Sequence, residues 1–179
     1  MTRYAAFLRA INVGGHVVKM DALKKIFVQL GFTNVESFIA SGNIVFESGS
    51  ANGAALEKKI AAALEKSLGY EVVTFVRTFA ELSDVAACVP FKGIDDAPTF
   101  VVGFLAAPLA PAAQKKLMAL ASRADRFHVR GRELWWHSDN GQGESTFSNT
   151  VLERTLGVRT TFRNMRTVRK MAARWGPVR

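Results

Sequence analysis

An α+β fold is predicted by two observations. Apolar segments follow one another in the order strand, helix, strand, strand, helix, strand, and the same order returns in the second half of a chain of 179 residues. Runs of alternating apolar and β-branched residues separate stretches whose apolar residues lie three and four apart, the two periods that distinguish strands from helices. This order is the split β-α-β-β-α-β arrangement of ferredoxin-like folds, with two helices on one face of a four-stranded antiparallel sheet. Two such units in tandem are expected, residues 1–78 and 99–179, with a helical connection over 79–98 and a C-terminal helix.

In the first unit, residues 3–9 read as a strand with Tyr4, Ala6 and Leu8 on one face and Ala5 and Phe7 on the other. Both faces are apolar, which predicts a central strand. Leu23, Ile26, Phe27 and Leu30 have the spacing of an amphipathic helix that Gly31 stops, and they are expected to form its inward stripe. Val35 to Ile39 and Ile44 to Phe46 form two strands joined by a tight turn at Ser41-Gly42-Asn43. Asn52 is placed to cap a helix carrying Leu56, Ile60, Leu64 and Leu68, which ends at Gly69. Val72 to Val76 is the fourth strand. Thr78 and Glu81 form a capping box for a short helix with Leu82 and Val85, and Gly93 to Pro98 is a polar connection.

The second unit repeats the order. Phe100 to Leu105 is a strand, and Pro111 suits the first turn of a helix containing Leu117 and Leu120. Phe127 and Val129 lie on a strand that turns at Arg130-Gly131 into Leu134 to His137. A helix over Ser148 to Leu156, a weak strand at Val158 to Thr161 and a final helix with Thr167 as N-cap complete the chain. Val168, Met171 and Trp175 share one side of that helix, with Arg169, Lys170 and Arg174 on its other surfaces. The halves share little sequence identity, so the repeat is one of element order.

The composition, 49% apolar and 22% charged, excludes a disordered chain. No apolar run approaches the roughly 18 residues that span a bilayer, no signal-peptide core is visible, and one cysteine permits no intrachain disulfide. A cytoplasmic setting away from membranes follows as the expectation. The net charge of +9 is uneven: residues 1–98 hold ten Lys/Arg and ten Asp/Glu, residues 99–179 fourteen and five. Such asymmetry suits a polyanionic partner, and Arg163, Arg166, Arg169, Lys170 and Arg174 are the candidate nucleic-acid contacts. An ordinary solvated basic surface accounts for the same charges.

Arg9-Ala-Ile-Asn-Val-Gly-Gly15 with Lys19 is a candidate ligand site. Arg9 ends a strand, Asn12 offers an amide, and Gly14 and Gly15 could turn backbone N–H groups toward an anion; a turn at Asn12 and an ion pair between Arg9 and a carboxylate account for the same residues. The spacing fits neither a dinucleotide fingerprint nor a phosphate loop. Ser41, Gly42 and Asn43 join this site only if their turn lies beside Arg9; a backbone turn explains them equally well. Ser145, in Gly141-Gln142-Gly143-Glu144-Ser145, precedes a helix start and reads either as a phosphate contact or as a cap. His16, His128 and His137 have no metal-ligand spacing, Asp95-Asp96 is expected to be solvated, and no metal or cofactor is expected. Cys88 reads as a small buried or half-buried hydrophobe. Of Trp135 and Trp136, one is expected in the core, leaving the other for packing or for stacking on a base.

Leu8-Arg-Ala-Ile-Asn-Val-Gly-Gly15, Lys19-Met20, Leu30-Gly-Phe32, Ser41-Gly-Asn43 and Pro90-Phe91 resemble the bacterial family numbered 1697 among the domains of unknown function. Gly141-x-Gly-x-Ser145, Leu156-Gly157 and Thr160 to Asn164 with Thr167 continue the likeness over nearly the whole chain. The resemblance implies tandem ferredoxin-like units and transfers no catalytic role. This chain has Ala10 and Met165 where the family's usual pattern has glycine and tryptophan.

Three functions are consistent with these residues. The first is a non-enzymatic protein that binds nucleic acid or another polyanion through its basic C-terminal half. The second is a small-molecule enzyme or sensor that holds a phosphate- or carboxylate-bearing ligand with Arg9, Asn12, Lys19 and Asn43. The third is a scaffold for protein contacts. An aromatic-rich strand of the kind that reads RNA on ferredoxin-like sheets is not evident.

Overall fold

A computed structural model of the chain describes residues 1–11, 17–39, 41–94, 97, 99–141, 145 and 147–177. The chain divides into two compact units, Met1–Ser83 with Arg174–Arg179, and Asp84–Ala173. Each contains a ferredoxin-like β-α-β-β-α-β core. No helix among the described residues is long and apolar enough to cross a membrane.

Unit 1 runs β1 (Thr2–Leu8), α1 (Met20–Gln29), β2 (Thr33–Ser37), β3 (Asn43–Ser48), α2 (Gly53–Leu68), β4 (Thr74–Thr78) and the start of α3 (Phe79–Ala86). Its antiparallel sheet has the order β2-β3-β1-β4, so the doubly apolar β1 is central, as its sequence requires. Tyr4, Ala6 and Leu8 face a core closed by Leu23, Ile26 and Phe27 of α1 and Leu56, Ile60 and Leu64 of α2. Leu30, the C-cap of α1, also packs against this core but is only half-buried. Local hydrogen bonds set the helix ends: Asn52 Oδ1 accepts from Ala55 N at 3.0 Å, and Gly69 closes α2 in a left-handed conformation. The capping box is present, with Glu81 N donating to Thr78 Oγ1 at 3.1 Å and Thr78 N to Glu81 Oε2 at 2.8 Å.

Unit 2 runs from the rest of α3 through β5 (Phe100–Phe104), α4 (Pro111–Met118), β6 (Asp125–Arg130), β7 (Glu133–Ser138), α5 (Asn149–Leu156) and β8 (Thr161–Asn164) into α6 (Met165–Trp175). Its sheet order, β6-β7-β5-β8, is the same arrangement. Leu117 and Leu152 pack with Val101, Leu134 and Trp136 in its core. Ser148 Oγ caps α5 by accepting from Val151 N at 3.2 Å. The last helix starts at Met165 and not at Thr167, because Asn164 Oδ1 accepts from Arg166 N at 2.8 Å directly after the strand.

The repeat extends to register, which the slight sequence identity conceals. Tyr4, Ala5 and Ala6 pair with Thr78, Arg77 and Val76, while Val101, Val102 and Gly103 pair with Asn164, Arg163 and Phe162. Leu8 N donates to Gly42 O at 2.9 Å, and Leu105 N donates to Arg132 O at 2.9 Å. In these registers Thr74, Arg77, Phe79, Leu82 and Val85 match Thr160, Arg163, Met165, Val168 and Met171, and all ten are buried. In each unit a glutamate of the second helix also reaches the last strand segment. Glu57 Oε1 accepts from Val76 N at 2.8 Å, and Glu153 Oε1 accepts from Thr160 N at 3.0 Å. These contacts satisfy backbone donors at the sheet edge.

The far face of each sheet also carries buried residues. Opposite the core, Ala5, Phe7, Val45, Phe75 and Arg77 in unit 1, and Phe100, Val102, Phe104 and Trp135 in unit 2, are buried. Neither tryptophan is therefore available to stack on a base. Trp136 lies in the core with its Nε1 donating to Asp125 Oδ1 at 3.0 Å, and Trp135 lies beneath Arg130, whose Cζ is 5.6 Å from its ring.

Candidate functional site

The end of β1 and the β2–β3 connection adjoin each other. Leu8 N donates to Gly42 O, and Arg9 N donates to Val73 O at 2.9 Å, which ties the exit of β1 to both of its neighbours. Gly42 has φ +71°, and a Cβ there would lie 2.7 Å from Ile11 Cγ2 and 3.2 Å from Leu8 O. Glycine is thus required twice over, by backbone handedness and by close approach. The Ser41-Gly42-Asn43 turn packs against the segment that carries Arg9.

Two non-glycine residues in this cluster are also left-handed, Ala10 at φ 57° and Ile39 at φ 51°. Each such conformation costs about 1–3 kcal/mol, and strain of this kind concentrates at binding sites. Ala10 occupies the position at which the resembled pattern has glycine, so this chain carries strain that glycine would remove. Asn43 is 0% exposed. Its Nδ2 donates to Phe38 O at 3.1 Å and to Ser41 Oγ at 2.8 Å, which makes it the brace of the turn. Ser41 is exposed and Arg9 half-buried. Lys19, also exposed, is the N-cap of α1, and its side chain makes no capping hydrogen bond. Asn12, Gly14, Gly15 and His16 lie outside the described residues, as do Asp95, Asp96 and Gly143.

Unit 2 shows what the fold itself demands at this place. By register, Ala106, Ala107 and Pro108 stand where unit 1 has Arg9, Ala10 and Ile11. The β6–β7 connection is a two-residue turn at Gly131-Arg132, whereas residues 38–42 link β2 to β3. Every non-glycine residue with positive φ among the described residues belongs to unit 1.

The remaining predicted residues occupy other settings. Ser145 belongs to unit 2 and is engaged in its interior: its Oγ donates to Asp125 Oδ1 at 2.8 Å and accepts from Phe147 N at 2.9 Å. The cap of α5 is Ser148 and not the half-buried Ser145, whose hydroxyl is engaged in these two bonds. Burial would raise the pKa of Asp125, but hydrogen bonds from Trp136, Ser145 and Ser122 outweigh it and hold the carboxyl below its ordinary value.

Among the C-terminal cations, Arg163 is only 9% exposed. Burial pushes its guanidinium down to about 10, and it donates to Thr161 Oγ1 and Phe162 O, both at 2.8 Å. It is therefore not part of a solvent-facing basic surface. Arg169 is half-buried, with its Cζ 5.9 Å over Phe100 and Nε donating to Ala86 O at 3.4 Å. Arg174, which has no acid near it in sequence, pairs in space with Glu36 at 3.1 Å. Arg166 and Lys170 are exposed.

Grouped by compact unit, the charge also loses its asymmetry. Unit 1 holds eleven Lys/Arg and seven Asp/Glu, and unit 2 thirteen and eight.

A polar chain in unit 2 escaped the sequence reading. Thr99 Oγ1 lies 3.1 Å from His137 Nδ1, His137 Nε2 lies 2.9 Å from Asp139 Oδ1, and Arg126 donates to the same oxygen at 3.0 Å. The hydrogen bond from His137 lowers the pKa of Asp139 most. Its signal was the spacing of two between His137 and Asp139, which puts them on one face at a strand end. Both ring nitrogens are engaged, so the chain accounts for a buried histidine without a ligand. Cys88 is half-buried, and burial raises its thiol pKa, which opposes nucleophilic use. Among the described residues, no group of three or more His, Cys, Asp or Glu is arranged to hold a metal.

A family model described as "Protein of unknown function (DUF1697)" matches residues 1–135. Among solved structures, the conserved bacterial protein SP0830 from Streptococcus pneumoniae is similar, with a TM-score of 0.69 and 24% identity over 96% of this chain and 97% of that one. At that identity the likeness shows the fold alone. No curated protein matches the chain.

Proposed function

The chain belongs to the DUF1697 family, whose description assigns no activity, and from that premise we propose a binding protein for a small phosphate- or carboxylate-bearing ligand. The ligand is held in unit 1 by the loops that follow β1 and precede β3, with Arg9 and Lys19 supplying positive charge. Backbone N–H groups at the start of α1, which the Lys19 side chain does not cap, supply hydrogen bonds. The observation that carries this reading is the contrast within the chain. Unit 2 has the same strand order and register but carries Ala106-Ala107-Pro108 and a two-residue turn at the equivalent place. Arg9 and the strained turn are therefore additions that the fold does not require. A cytoplasmic setting belongs to the same proposal and is supported by the lone Cys88.

A second reading is a nucleic-acid surface on α6, and the exposure of Arg166 and Lys170, one helical turn apart, favours it. It ranks below the first because Arg163 is buried and Arg174 is paired with Glu36.

Titration of the full chain with inorganic phosphate, pyrophosphate, citrate and a mixed-sequence oligonucleotide separates the two, followed by amide chemical shifts. The expected result is anion-dependent shifts confined to residues 9–11, 17–20 and 41–43, lost in a folded Arg9→Ala/Lys19→Ala variant. Oligonucleotide binding that survives in that variant but disappears in Arg166→Ala/Lys170→Ala, with a reduced salt slope, would establish the second reading instead. Absence of any small-anion binding near 50 mM salt would reject the first.

A further inference from the structure

We infer that Trp175 is a positioning residue for the candidate site, an inference that rests on the 38–43 connection being its binding loop. Ile39 is left-handed, β-branched and 53% exposed, so its own packing does little to hold its conformation. The strain must be held by the residues on either side. On the far side, Gly42 is wedged against Ile11 and Leu8. On the near side stands Phe38, whose N–H donates to Asn43 O at 3.0 Å and whose carbonyl accepts from Asn43 Nδ2.

Phe38 in turn meets Trp175 edge to face, with ring centroids 5.5 Å apart. Trp175 is 8% exposed and lies 6.0 Å from the ring of Phe79. Its Nε1 donates to Glu36 Oε1 at 3.2 Å, two residues before Phe38. Arg174 grips the other carboxylate oxygen of Glu36 at 3.1 Å and lies 4.3 Å over the indole ring. All these residues belong to unit 1. Trp175 thus clamps Glu36 and Phe38 at once, and Asn43 passes that restraint to Ser41 and Gly42. A restrained loop spends less ordering entropy when it binds, so the clamp raises affinity without touching the ligand. The same contacts give Trp175 and Arg174 a role other than binding polyanions.

Hydrogen exchange of the full chain, wild type against Trp175→Ala and Trp175→Phe, followed by pyrophosphate titration, tests the inference. Trp175→Ala should speed exchange of the Phe38 amide about tenfold, while Ala6 in β1 and Leu105 at the equivalent site of unit 2 stay unchanged. Pyrophosphate binding should weaken about tenfold, and Trp175→Phe, which keeps the ring contact, should restore most of both. Unchanged Phe38 exchange overturns the inference. So does an equal rise at Ala6, which would mark a general loss of stability. If wild type binds no pyrophosphate, the functional reading fails, and the exchange result still decides whether Trp175 orders the loop.

Discussion

Gly42→Ala puts the central feature of the candidate site under direct test. Two costs add at this position. A left-handed φ of +71° costs an L-residue about 1–2 kcal/mol. The new Cβ would also stand 2.7 Å from Ile11 Cγ2 and 3.2 Å from Leu8 O, and overpacking of a closed site costs typically about 1–3 kcal/mol. The sum is about 2–5 kcal/mol, and it should open the junction between the two loops. Gly31→Ala is the matched control, because Gly31 has φ +84° but nothing within 4 Å of a Cβ. It should lose only the conformational part, about 1–2 kcal/mol. Reversible urea unfolding of both variants measures the difference, provided the m-values agree. Equal losses in the two variants would refute the claim that close approach constrains Gly42, and with it the tight apposition of Ile11 to the turn.

Ala10→Gly should be neutral to stabilising by up to about 1 kcal/mol, since relief of left-handed strain offsets greater unfolded-state freedom; a clear loss in the same assay would contradict the strained conformation. Glu57→Ala should cost about 3–5 kcal/mol, because it strands the Val76 N–H and removes the carboxylate beside buried Arg77. Glu57→Gln, which keeps an acceptor for Val76, should cost less, and an equal loss would argue against the hydrogen bond. Asp125 has a folded pKa below its reference value of 3.8. Its contribution is therefore fully present above that value and lost as pH falls through the lower folded value. The stability gap between wild type and Asp125→Asn should accordingly be constant near neutrality and shrink under acid, as read from urea midpoints at stepped pH.

What the sequence by itself determined is local. Helix periodicity placed Leu23, Ile26 and Phe27 inward. The caps at Asn52 and Thr78–Glu81 were legible because donor and acceptor lie within four residues of each other, whereas Ser148, and not Ser145, caps α5. The order of elements followed, and with it the ferredoxin-like units, since few topologies accommodate that order. Strand limits were displaced: β2 is Thr33–Ser37 and not Val35–Ile39, β4 is Thr74–Thr78 and not Val72–Val76, and β8 is Thr161–Asn164 and not Val158–Thr161. A strand ends where its partner's ladder ends, and in β2 a register shift between Thr33 and Glu36 moves the pairing. Tertiary structure alone decided which charges are free to act. Arg163 and Lys170 look alike in sequence, but one is buried and the other exposed. Arg174 finds Glu36 from the opposite end of the chain. The apposition of Arg9's segment to Gly42 likewise depends on a ladder between distant strands. A helix closes its hydrogen bonds within its own turns, whereas sheet edges, buried ions and loop junctions depend on partners that only the folded chain brings near.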